Sequence, residues 1–156
     1  MSTVIEVVTV IGAARAAVFD LELDVDVHTI SMSGSNETAT TSSGRRGLQL
    51  HDEVTFRARH FGLPWRMTSR ITDYQHPRRF VDEQVRGPFR TMCHEHVFDE
   101  IDADQTLMTD SMTITVPGGP LGSAFARLLV VPYLRRLLQR RAAHIKRLAE
   151  ASDDGL

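Results

Sequence analysis

The sequence predicts an α+β domain: a curved antiparallel sheet with one apolar face, covered by a single long C-terminal helix. Three observations lead there. Between residues 53 and 116 apolar and polar side chains alternate with period two, in segments separated by turn residues, as in the half-buried strands of a meander. After "PGGP" (117–120) the pattern changes to helical spacing over roughly 121–149. A chain of 156 residues, 42% hydrophobic and 24% charged, is large enough to bury a core without staples.

Taken in order, "TVIEVVTVI" (3–11) is β-branched and reads as a first strand, ended by Gly12. "AARAAVFDL" (13–21) carries helix formers, with Ala17, Phe19 and Leu21 available to pack. "DLELDVDVHTI" (20–30) alternates acid and apolar residues, and by pattern alone this says strand. The Ser/Thr/Gly-rich patch 31–47 reads as a loop or exposed edge strand inside one domain. Then come "EVTFRARHF" (53–61), "WRMTSRITDY" (65–74), "RFVDEQVRG" (79–87), "TMCHEHVFDEI" (91–101) and "TLMTDSMTITV" (106–116).

Closing these hairpins over their turns sets His60 opposite Trp65, Asp73 opposite Phe80, Gln84 opposite His94 and His96 opposite Asp110. The shared inner face then holds Val54, Phe56, His60, Trp65, Met67, Ile71, Phe80, Asp82, Gln84, Met92, His94, His96, Phe98, Met108, Asp110, Met112 and Ile114. The outer face is mainly Thr, Arg, Glu and Ser. In the final helix Leu121, Phe125, Leu128, Leu138, Ile145 and Leu148 form an apolar stripe, and Pro132 should kink or interrupt it. Sheet and helix together make a cup. Residues 1–150 are expected to be one domain and "ASDDGL" (151–156) a frayed tail.

Composition excludes several classes. A net charge of −2 supplies no field for nucleic acid or an anionic membrane. The basic run "RRLLQRRAAHIKRL" reads as a solvated face near a helix C-terminus. The one cysteine, Cys93, has no internal partner and points outward in this register. The N-terminus lacks a basic leader, and the longest apolar run, "LLVVPYL" (128–134), is too short to cross a bilayer. A soluble cytoplasmic protein without membrane insertion is expected, its oligomeric state unspecified.

"RFVDEQVRGPF", "HEHVF", "TLMTD" and "VPGGPLG" resemble the SRPBCC ligand-binding superfamily, which includes START domains, birch-pollen-allergen-like proteins and bacterial polyketide cyclase/dehydrase-like proteins. The resemblance covers essentially the whole chain. It implies a helix-grip fold, with a seven-stranded sheet wrapped around the last helix and a hydrophobic cavity between them. It also implies that "VFDLELDVDVHTIS" forms two short consecutive helices, overriding the period-two signal. Where close relatives often carry tryptophan before the His-x-His pair, this chain has Met92, whose thioether softens or enlarges the pocket.

The inner face carries a polar island of Asp82, Gln84, His94, His96 and Asp110. A carboxylate facing an imidazole fixes its tautomer and raises its basicity, so His96 and Asp110 are the candidate catalytic pair for acid/base work on an enolisable carbonyl. A structural or ligand-orienting role for the pair is preferred. The expected ligand-binding set is Phe56, His60, Trp65, Met67, Phe80, Asp82, Gln84, Met92, His94, Phe98, Met108, Met112 and Phe125. His94, His96 and Asp110 have the donor chemistry for a metal, but two alternating histidines are a weak signal, and no metal or cofactor is expected. His28 is placed at the surface of the helical insertion. Three readings stay open: a carrier of a lipid-like or polyketide-like molecule, a cyclase or dehydratase, and a protein-interaction module with a filled interior.

Overall fold

The structure is a computed structural model describing residues 1–32, 34 and 36–154; the rest of the 31–47 patch and of the expected tail lies outside the described residues. The chain runs β1 (Ser2–Ile11), α1 (Arg15–Leu23), α2 (Val25–Ser31), β2 (Thr38–Thr41), β3 (Glu53–His60), β4 (Leu63–Gln75), β5 (Arg79–Arg86), β6 (Thr91–Asp102), β7 (Gln105–Thr115), α3 (Gly119–Phe125), a π-turn (Ala126–Val130) and α4 (Val131–Asp153). The seven strands form one antiparallel sheet in the order β1-β7-β6-β5-β4-β3-β2. This is the predicted helix-grip arrangement.

The conflict over residues 20–30 is decided in favour of two helices. Val18, Phe19, Glu22 and Leu23 are the buried residues of α1, spaced by three and four as one helical face requires. Ala17, expected to pack, faces out instead. Asp24 separates the two helices: its Oδ1 accepts hydrogen bonds from the backbone N–H groups of Asp26 (2.8 Å) and Val27 (3.2 Å), an N-cap that restarts the chain as α2. Period-two alternation cannot distinguish such a capped break from a strand.

Registers agree with expectation in one hairpin and shift in others. His96 pairs with Asp110, as predicted. Ala58, not His60, lies opposite Trp65, and Asp82, not Gln84, lies opposite His94. Both slips are of two residues, so the inward faces survive while the rungs move. Between Ile71 and Asp73 a β-bulge inserts one residue. Phe80 therefore meets Tyr74, and Asp73 turns outward to pair with Arg79.

The turn from β7 into α3 depends on two glycines. Gly118 adopts φ 94°, a left-handed conformation open to glycine at little cost. A Cβ on Gly122 would stand 2.0 Å from the Pro117 carbonyl oxygen, so backbone approaches backbone there. The helix then runs on to Asp153, beyond the expected boundary at 150. Pro132 does interrupt it: the π-turn ends two residues before the proline, widening the coil around Leu128, whose carbonyl the ring would otherwise meet.

Only the second half of the predicted stripe is buried. Leu138, Ala142, Ile145 and Ala149 face the sheet, whereas Leu121 and Leu128 point outward. This half of α4 closes a dense core with Ile11, Phe19, Phe80, Phe98 and Met108. Phe19 is its centre, in edge contact with Tyr74, Phe80 and Phe98 at 5.2–5.4 Å between ring centroids. The first half of the helix does not close on the sheet in this way, and the interior beneath it is hollow.

Candidate functional site

The hollow has a volume of about 350 Å³ and opens to the outside. Its floor is the inner face of β3, β4 and β5, with Phe56, Ala58, Met67 and Ile71 in view; Met92 and Met112 continue it across β6 and β7. Val130, Leu134 and Leu138 of the helix form the roof. Phe61 and Phe125, both more than half exposed, stand at the mouth. There Tyr133 Oη lies 2.6 Å from His60 Nδ1, and Trp65 Nε1 donates to the His60 carbonyl at 2.8 Å.

Where the hollow meets the solid core lies a buried polar cluster. Successive inward residues of β6 present His94 and His96, and the rings meet at 3.8 Å between centroids. Asp82 sits beside His94 on β5 and Asp110 beside His96 on β7. Each imidazole therefore has one nitrogen towards each carboxylate. Asp82 Oδ1 is 3.2 Å from His96 Nε2 and 3.8 Å from His94 Nδ1. Asp110 Oδ1 is 2.7 Å from His96 Nδ1 and 3.6 Å from His94 Nε2. Phe80 stacks on His96 at 4.1 Å and shields it.

Two further groups complete the cluster. Glu22 projects from the buried face of α1, its Oε2 3.8 Å from His96 Nδ1. Arg141 of α4 reaches that oxygen at 2.6 Å and donates to the Glu22 carbonyl at 2.9 Å. Many buried polar atoms here still lack an aligned hydrogen bond: both Glu22 carboxylate oxygens, His94 Nε2, His96 Nδ1, Asp110 Oδ1 and Arg141 Nε.

The electrostatics follow from burial and pairing. Burial alone would lower the His96 pKa, but the flanking carboxylates of Asp110 and Asp82 lift it to about 9, so His96 is an imidazolium at neutral pH. Burial, joined by the charge of His96, pushes His94 down and keeps it neutral. Burial would raise both aspartates, but their histidine partners outweigh it and hold them below the usual carboxylate range. Burial raises Glu22 against the opposing pull of Arg141.

A second pair lies across the hollow. His28 of α2 is stacked on Phe56 at 4.3 Å, with its Nε2 3.0 Å from Glu37 Oε1. Burial depresses His28 well below its ordinary value and pushes Glu37 up to about 7. The expected surface position of His28 is thus corrected: packing of α2 over β3 turns it inward.

Of the candidate residues, Phe56, His60, Trp65, Met67, Phe80, Asp82, Met92, His94, Met112 and Phe125 line the hollow. The others do not. Phe98 and Met108 belong to the dense core. Gln84 spends its amide on the Phe89 backbone, donating at 2.8 Å and accepting at 3.3 Å. His96 and Asp110 are sealed behind Phe80, His94 and Asp82, so the pair expected to do chemistry does not face the cavity. The cavity-facing carboxylate–imidazole pair is Asp82 with His94.

Glu22, Glu37, Tyr133 and Arg141 were missed. For Glu22 and Arg141 a signal existed. Glu22 falls on the 18/19/22/23 face once the segment is read as a helix, and Arg141 falls between Leu138 and Ala142 on the stripe. Tyr133 stands at helical spacing from Leu137 and Arg141, which also line the hollow, whereas Glu37 left no periodic trace.

Comparison with known proteins places the chain among others of this shape. Residues 2–150 match the family described as polyketide cyclase/dehydrase and lipid transport. No curated protein matches the sequence closely enough to count as a relative. Among solved structures, the ZhuI aromatase/cyclase from Streptomyces sp. R1128 superposes with a TM-score of 0.80 at 16% identity, over 96% of this chain and 94% of that one. TTHA0849 from Thermus thermophilus gives 0.79 at 15% identity, over 96% and 99%. A point mutant of norcoclaurine synthase from Thalictrum flavum, bound to a transition-state analogue, gives 0.75 at 12% identity, over 98% and 97%. At these identities the likeness is one of fold.

Proposed function

The chain belongs to the polyketide cyclase/dehydrase and lipid-transport family, and from that membership and its cavity we propose that it binds a hydrophobic small molecule, lipid-like or polyketide-like, between sheet and C-terminal helix. The observation that carries this reading is the hollow of about 350 Å³, apolar along its walls and polar at its inner end. Such a volume lies within the roughly 300–1,000 Å³ of small-molecule sites. A ligand with an apolar body and one oxygen-bearing end fits it best, the oxygen directed at Asp82, His94 and Arg141. The space counts against a protein-interaction module with a filled interior. Native mass spectrometry of freshly purified protein tests the reading. A co-purified species of a few hundred daltons, lost on organic extraction, supports it; failure of both endogenous ligand and an apolar reporter dye to bind would end it.

A second reading has an observation of its own. Asp82 and His94 bring a carboxylate and a neutral imidazole to the polar end of the hollow, the equipment for moving a proton at a carbonyl carbon. In a cyclase or dehydratase these two groups, rather than His96 and Asp110, would meet the substrate. Asp82→Asn separates the readings. A carrier loses modest affinity, whereas an acid/base enzyme loses turnover with substrate still bound.

A further inference from the structure

We propose that Asp82, His94 and His96 form a binding site for one divalent transition-metal ion, placed where the cavity meets the core. In the sequence, two alternating histidines with Asp110 as the third donor are a weak signal for a metal. With Asp82 in that place the geometry changes character. Asp82 Oδ1 lies 3.2 Å from His96 Nε2 and 3.8 Å from His94 Nδ1. All three donor atoms fall within 4.8 Å of one another. Donors held at 2.0–2.1 Å around a tetrahedral ion stand about 3.4 Å apart, so small side-chain rotations would bring the three into place.

The surroundings fit the same assignment. A metal-bound imidazole ordinarily turns its second nitrogen to a carboxylate that fixes its tautomer and orientation. Here the second nitrogens of both histidines face one oxygen, Asp110 Oδ1, at 2.7 Å for His96 and 3.6 Å for His94. That oxygen, His94 Nε2 and His96 Nδ1 are buried without an aligned hydrogen bond, although their residues are almost wholly removed from solvent. Glu22, Asp82 and Asp110 set three carboxyl groups into this buried volume, against the guanidinium of Arg141 and the imidazolium of His96. A divalent cation would take over the pairing with Asp82 and Asp110 as it displaces the His96 proton.

A rival triad, Glu22, His96 and Asp110, is also close enough to share an ion. Only Glu22 of the three lines the cavity, and Arg141 already occupies it at 2.6 Å. The Asp82 triad has a route in, because Asp82 and His94 line the hollow. Three protein donors leave a coordination position open. It points to the cavity, where an oxygen of the bound molecule (carbonyl, phenol or carboxylate) would complete the shell. Two imidazoles and one carboxylate suit Zn²⁺, Co²⁺ or Fe²⁺ better than Mg²⁺ or Ca²⁺.

The test uses the metal alone. Chelator-treated, dialysed full-length protein is titrated with ZnCl₂ by calorimetry and with CoCl₂ by visible absorption. The expected result is one equivalent bound, with a dissociation constant of about 1 µM or tighter and a four- or five-coordinate Co²⁺ spectrum. His94→Ala and Asp82→Ala should each weaken binding at least a hundredfold, while His76→Ala, outside the cavity, leaves it unchanged. Circular dichroism checks the fold. His94→Asn and Asp82→Asn, which keep a polar side chain in place, carry the same expectation should the alanine variants unfold. Absence of saturable binding up to about 1 mM would overturn the assignment. So would an affinity that falls less than about tenfold in both the His94 and Asp82 variants. Neither result bears on whether the cavity holds an apolar molecule, which the mass-spectrometric experiment decides separately.

Discussion

Glutamine in place of Glu37 should make the protein more stable at neutral pH and leave it no more stable in mild acid. Glu37 lines the cavity with its side chain only 5% exposed, facing His28 of α2 at 3.0 Å, Arg141 of α4 and His60 of β3. Burial raises its pKa from 4.5 to about 7, more strongly than Arg141 and His60 lower it. The folded state therefore keeps a proton that the unfolded chain releases between pH 4.5 and 7. The associated stability is fully present below pH 4.5 and is lost as pH rises through 7. A shift of this size corresponds to about 3 kcal/mol at 1.36 kcal/mol per pH unit, taken as an upper bound. Glu37→Gln keeps the shape and removes the titration. Urea denaturation of both proteins between pH 4.5 and 8 should give a stability difference that grows in the variant's favour by about 1–3 kcal/mol across that range. Parallel curves, or a difference that grows the other way, would refute the reasoning.

Three further outcomes follow from particular contacts. Ala58→Phe places a ring in the hollow, since Ala58 is on its floor; binding of an apolar reporter dye should fall at least tenfold, with the melting temperature changed by only a few degrees. Phe98→Ala removes a ring from the dense core beside Phe19 and Phe80, and should cost about 3–5 kcal/mol in urea denaturation without altering dye binding per folded molecule. Gly122→Ala drives a Cβ to 2.0 Å from the Pro117 carbonyl, so the turn must shift. A loss of about 1–3 kcal/mol is expected, and hydrogen exchange should show it concentrated at the start of the C-terminal helix.

Much of the architecture was legible in the chain because it is written in short-range period. Alternation from 53 to 116 assigns a face to each strand residue, and that assignment survives a two-residue slip. This explains why Phe56, Met67, Met92 and His94 look inward although two hairpins pair in a register other than the expected one. The exception is the bulge near Thr72, where one extra residue reverses the faces and puts Tyr74 rather than Asp73 against Phe80. The capped break at Asp24 was beyond periodicity for a similar reason, since a single side chain closing on its own backbone carries no repeat.

Tertiary structure alone decided which part of the inward face is wall and which is core. That division depends on where the last helix approaches the sheet, hence on the π-turn before Pro132 and on small residues such as Ala142 and Ala149 letting one half settle close. It moved Phe98, Met108, His96 and Asp110 into the solid interior and left Asp82 and His94 at the cavity. It also joined Glu22 to Arg141 across 119 positions of sequence. Period follows from the covalent spacing of neighbouring side chains. A void, or a charge cluster assembled from five separate segments, is set by how those segments pack, and no local pattern carries that information.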